Sequence, residues 1–195
     1  MKKLAVVLCL SALTTGAFAQ GFVNFFNTAG TLVSSGAAGN TATLAAGNPG
    51  AYYFGLLTSA SGNAGTFTFA GVYATNQTFA GRFTGGGGVT VAGWGPGVTM
   101  SYEVAGWSAN LGATFNSSWL TTPPTTPNGF FGISGIGSGQ AGGSTAAGSF
   151  PNLNLFGGTG LTSGFNLSPT SVPEPTSMAL AGLGAAALLI FRRRK

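Results

Sequence analysis

Glycine restricts this chain more than any other residue. It supplies 35 of the 195 positions, and glycine or proline interrupts the sequence every few residues between Gln20 and Val172. In a helix interior a glycine costs about 1 kcal/mol relative to alanine and a proline about 3 kcal/mol, so long helices are excluded here. What survives between the interruptions is a series of short apolar–polar alternations, the pattern of strands with one buried face. The plainest runs from Val98 to Ala105, where Val98, Met100, Tyr102 and Val104 share one face and Thr99, Ser101 and Glu103 the other. Before it, Val89 to Ala92 and the turn Gly93-Trp94-Gly95-Pro96-Gly97 predict a hairpin with a loop of five residues. Thr66 to Phe69, continuing through Tyr73, and the segments Ala51 to Leu57, Phe22 to Phe26 and Leu153 to Phe156 read as further strands. Thr121 to Asn128, with Pro123, Pro124 and Pro127, reads as a loop, and Gly132 to Gly148 as a loose loop around one short strand. Such a pattern predicts a single all-β domain, a β-sandwich of jelly-roll or immunoglobulin-like kind. An alternative is a body that gains order by assembly, because strands this uncharged lack the usual edge protection.

The formal charge of +5 points at first to nucleic acid or an anionic surface. Position overturns that reading. Lys2, Lys3, Arg192, Arg193, Arg194 and Lys195 lie at the extreme ends, and between Gln20 and Val172 the only charged side chains are Arg82 and Glu103. Tight phosphate binding takes several Lys or Arg contacts, each releasing counterions, so nucleic acid is excluded as a partner.

The same scarcity argues against catalysis and against a cofactor. The chain has no histidine and no aspartate, and the body has no lysine or cysteine. Glu103 alone cannot form a carboxylate pair, and no His or Lys base is present to activate a serine. Metal sites built on imidazole, thiolate or clustered carboxylates lack their ligands. Glu103 falls on the polar face of its strand and reads as a solvated surface residue. Gly137-Ser-Gly139-Gln-Ala-Gly142 fits G-x-G-x-x-G by letter only, with no helix after it and no acidic residue downstream to hold a ribose. Gly85 to Gly88 has no Lys-Ser/Thr partner and reads as a flexible turn. Asn76-Gln-Thr78, Asn116-Ser-Ser118 and Asn166-Leu-Ser168 match the N-glycosylation pattern by coincidence.

The two ends carry the clearest signals. Met1-Lys2-Lys3, the apolar run Leu4 to Leu13 and the small residues of Ala17-Phe18-Ala19 form a secretory signal peptide over 1–19, with signal peptidase expected to cut after Ala19. Cys9 lies within that run behind Leu8, where a lipoprotein site needs a small residue, so acylation is disfavoured. At the other end, residues 176–191 form an apolar stretch that as a helix would be about 24 Å long. That is slightly short of a hydrocarbon core of about 30 Å, a gap that thinning and snorkelling cover. Arg192, Arg193, Arg194 and Lys195 follow as a cytoplasmic stop-transfer cluster, leaving the body outside. Upstream, Pro173-Glu174-Pro175 is held extended by its prolines.

In this order, Val172 to Lys195 resemble the PEP-CTERM sorting signal of Gram-negative bacteria: a Pro-Glu-Pro tripeptide, a Gly- and Leu-rich span, then a basic end, the signal itself taking residues 173–195. The resemblance implies recognition by exosortase, a membrane-embedded cysteine protease, with Pro173, Glu174 and Pro175 as the recognition element. It also implies a transient stay in the inner membrane, followed by release to the cell surface or the extracellular medium. A plain membrane anchor is the alternative. Residues Val89 to Asn116 also look loosely like a hairpin region of PEP-CTERM proteins with uncharacterised sandwich bodies.

For the body, residues 20–172, two roles are expected. One is a non-enzymatic structural or interaction role in the extracellular polysaccharide matrix, since export of the resembled family is associated with exopolysaccharide. The other is a carbohydrate-binding module, in which Trp94, set in a Gly-Pro turn, stacks on sugar rings while Trp107 and Trp119 pack in the core.

Overall fold

A computed structural model describes residues 20–37, 40–44, 48–60, 65–170 and 183–184. The body is all-β, as expected. Its strands are β1 (Gly21–Phe26), β2 (Ser34–Ala37), β3 (Asn40–Thr43), β4 (Tyr52–Ala60), β5 (Thr68–Asn76), β6 (Phe83–Val91) and β7 (Thr99–Ser108). They continue with β8 (Phe130–Ile133), β9 (Gly137–Gln140), β10 (Gly143–Thr145), β11 (Gly148–Phe150), β12 (Leu153–Asn154) and β13 (Asn166–Pro169). Two short 3-10 turns, Ala109–Leu111 and Ser117–Leu120, lie between β7 and β8.

Where two packed sheets were expected, hydrogen bonding joins eleven of the strands into one sheet, and β10 and β11 pair apart from it as a two-stranded ribbon. The path runs β12-β1-β6-β5-β4-β7-β8-β13-β2-β3, and β9 pairs with β7 on the edge that β8 leaves free. The sheet curls until its far parts meet. Just past β9, Phe22 N–H donates to Gly142 O (3.0 Å) and Gly142 N–H to Phe22 O (2.9 Å), so β1, β6, β5, β4, β7 and β9 close around one interior.

Every strand of that ring except β9 sends alternate side chains inward: Val23 and Phe25, Phe83 and Val91, Val72 and Ala74, Phe54 and Leu56, Tyr102 and Val104. Phe83 lies at the centre, stacked on Phe54 at 4.2 Å and edge-on to Phe25 and Phe156. Burying a side chain of this size contributes about 1.5–3 kcal/mol, and these rings are the main driving force for closure. A buried polar residue, Asn27, ties the end of β1 to the β5–β6 turn. Its amide donates to Thr31 O and Gly81 O (both 2.8 Å) and accepts from Phe83 N–H (2.8 Å).

The expected hairpin of residues 89–105 does not form. β6 pairs with β1 and β5, and β7 with β4 over nine residue pairs, so two strands separate them. The glycines of the intervening loop allow it to dive inward instead, with Gly93 and Gly97 at φ of +78° and +71°. Gly85 to Gly88 is likewise no turn but the middle of β6, where bulges against β1 set Gly86 and Gly88 at positive φ. The Gly132 to Gly148 region holds more than one strand: the end of β8, then β9 and β10.

A second apolar cluster lies on the outer face of β4 and β7, around Leu57, Ala105, Trp107 and Phe131. The excursion after β7 folds back over it. Trp107 Nε1–H donates to Gly112 O (2.8 Å), and Phe115 and Trp119 pack on the Trp107 ring at 5.6 and 5.8 Å. Around Leu57, Ala105 and Trp107, β4 and β7 are therefore covered on both faces.

Candidate functional site

The sorting segment begins just after a strand that is paired on both of its edges. β13 runs antiparallel to β8 (Ser168 opposite Phe131) and parallel to β2 (Leu167 opposite Ser35), an interior place in the sheet. Asn166 clamps β2 through its side chain, donating to Gly36 O (2.9 Å) and accepting from Ser34 Oγ (3.1 Å). The stitching continues to Thr170, whose N–H donates to Gly129 O (2.9 Å) and whose hydroxyl donates to Thr126 O. Only Ser171 and Val172 then separate this residue from Pro173. The core requires this arrangement, since Phe165 and Leu167 on the incoming chain are both buried in it.

Ala17, Ala19, Pro173, Glu174, Pro175, Arg192, Arg193, Arg194 and Lys195 lie outside the described residues, as do both flanking segments of the expected 176–191 helix. Within that stretch Leu183 and Gly184 are helical. Among the described residues no helix is long and apolar enough to cross a membrane.

Trp94 is not where the carbohydrate-binding expectation needs it. Its exposure is 0%. The indole N–H donates to Val98 O (2.7 Å), the ring lies 5.9 Å from Tyr102, and its backbone carbonyl accepts from Gly21 N–H (2.6 Å). It plugs one end of the closed ring and presents no face to a ligand. Trp107 is fully buried and Trp119 half-buried in the outer cluster, as expected of packing residues.

Glu103 lies on the outer face, as its register predicts, but it is not freely solvated. It is half-buried in a depression of about 400 Å³ with Phe67, Leu120 and Ile133, and loss of hydration raises its pKa above the usual carboxylate value. No group of three or more His, Cys, Asp or Glu residues that could hold a metal is found among the described residues. Arg82 closes the β5–β6 turn through its backbone, accepting from Gln77 N–H (2.8 Å), and its Nε is buried without a hydrogen-bond partner.

The G-x-G-x-x-G letters have a packing explanation. Gly137 and Gly139 lie in β9, and a Cβ on them would strike the Tyr102 ring and Leu153 respectively. One on Gly142 would strike Asn152, at the place where the ring closes on Phe22.

Compared with known proteins, residues 171–195 match the PEP-CTERM protein-sorting motif. No curated protein and no solved structure matches the chain. The motif implies an exported protein handled by exosortase on the membrane-associated sorting route.

Proposed function

We propose that this chain is a non-enzymatic protein delivered by exosortase to the cell surface or the extracellular polysaccharide matrix, where the body has a structural or interaction role. The sorting motif at 171–195 carries the reading. Three features support it: a signal peptide at the opposite end, a body with almost no charge, and a side-chain inventory unsuited to catalysis. The short tether adds a mechanical reason for removing the tail. With the body stitched to Thr170, only Ser171 and Val172 come before Pro173, a reach of at most about 11 Å of extended chain, so an uncleaved product would stay close to the membrane surface.

The test is terminal sequencing of the protein recovered from the envelope and the medium of a producing cell. The expected product starts at Gln20 and lacks Arg192 to Lys195. Recovery of an intact C-terminus from membranes alone would replace sorting with simple anchoring.

A further inference from the structure

The outer face of β4, β5 and β6 holds two depressions, of about 520 and 270 Å³, which share Thr75 and Thr84 and so form one trough. Its floor is a register row: Tyr53 of β4 lies opposite Thr75 of β5, which lies opposite Thr84 of β6. Aromatic rings stand along it, Tyr73 in one depression at 38% exposure and Phe79 in the other at 72%. Gln77 lies between them in the chain and lines the same trough as Phe79.

No residue lining either depression is charged. A phosphate or carboxylate ligand would have no cation to meet there, whereas hydroxyls find Thr75, Thr84 and Gln77 as donors and acceptors. Tyr73 is already positioned. Its oxygen accepts from Phe115 N–H (3.2 Å), which leaves the phenolic proton free to donate, and Phe69 and Trp107 brace the ring at 4.8 and 6.2 Å. Aromatic faces alternating with neutral polar groups suit a ligand with apolar ring faces and hydroxyl edges. Tyr73 and Phe79 stand in the two different depressions that the trough joins, which favours a polymer over a single ring.

We infer that this trough binds an extended, uncharged polysaccharide. The inference does not depend on how the tail is processed, and its test reads binding alone.

The full chain, held in a detergent without sugar headgroups, is titrated calorimetrically with laminarin, xylan and mannan, and with alginate as the anionic counterpart. At least one neutral polymer is expected to bind more tightly than alginate. Phe79→Ala, at an exposed site that should leave the fold intact, should weaken binding about three- to tenfold. Thr75→Val should weaken it in the same range. Near-UV circular dichroism checks that each variant is folded, and should Thr75→Val fail to fold, Phe79→Ala alone decides. No binding to any neutral polymer, tighter binding of alginate, or unchanged affinity in a folded Phe79→Ala protein would each overturn the inference.

Discussion

Tyr102 shows how much of the closed ring depends on single side chains. Its ring packs against Trp94, its hydroxyl donates to Leu155 O (2.8 Å), and burial pushes its pKa up to about 12, an effect that a backbone hydrogen bond at Leu161 partly offsets. The folded state thus holds the phenolic proton more tightly than the unfolded chain, whose tyrosines ionise near pH 10. The corresponding stability is fully present below pH 10 and is lost as pH rises toward 12, by roughly 2–3 kcal/mol in all. Tyr52, also raised by burial, acts in the same direction. Urea denaturation from pH 8 to pH 12 should show this decline, and Tyr102→Phe should flatten it at the cost of about 1 kcal/mol at neutral pH. The inward side of Tyr102 was legible from the alternation of residues 98–104. The burial of Trp94 was not, because a Gly-Trp-Gly-Pro-Gly segment fits an exposed turn as readily as a plug. The choice between them depends on Gly21, Val98 and Ala141, residues distant in sequence or hidden in the loop's own geometry.

At the scale of elements, the strongest alternations became strands nearly where expected, in β1, β4, β5, β7 and the short β12. The elements missed were those rich in glycine or too short for a period to show: β2, β3, β8, β10, β11 and β13. The turn expected at Gly85 to Gly88 gives way to strand for a related reason. Glycine favours turns only when no partner strand demands its backbone, and β1 does so here. The covering role of residues 109–121 was not legible: Leu111, Phe115 and Trp119 recur every four residues, a helical spacing, yet the segment forms only two short 3-10 turns. The structure makes it a cover for the outer face of β4 and β7. Trp119→Ala should therefore cost about 1–3 kcal/mol by urea denaturation, less than a fully buried tryptophan. It should also shift the emission of Trp107 to longer wavelength as water reaches that ring, while the closed ring of strands persists.

For the whole molecule, the order of strands along the sheet ties the two ends of the body together. β1 joins β12 on one side and, through Phe22 and Gly142, the continuation of β9, while β13 enters between β8 and β2. The last strand among the described residues is thus an interior one, with Phe165 and Leu167 in the core. A chain ended at Ser171 should keep the thermal midpoint of the body. A chain ended at Gly164 loses β13 and both core residues, a deficit comparable to the 5–15 kcal/mol that separates most domains from unfolding. It should show no cooperative transition by circular dichroism. The sequence by itself determined what depends on local chemistry: strands in place of helices, a neutral body, and an end that matches a sorting motif. Each of these rests on the identity and spacing of near neighbours. Only the tertiary structure decided which strands pair, that Trp94 faces inward, that the glycines at 137, 139 and 142 make room for Tyr102, Leu153 and Asn152, and that Tyr53, Thr75 and Thr84 line up across three strands. These are contacts between residues far apart in the chain, set by a closure that no local pattern encodes.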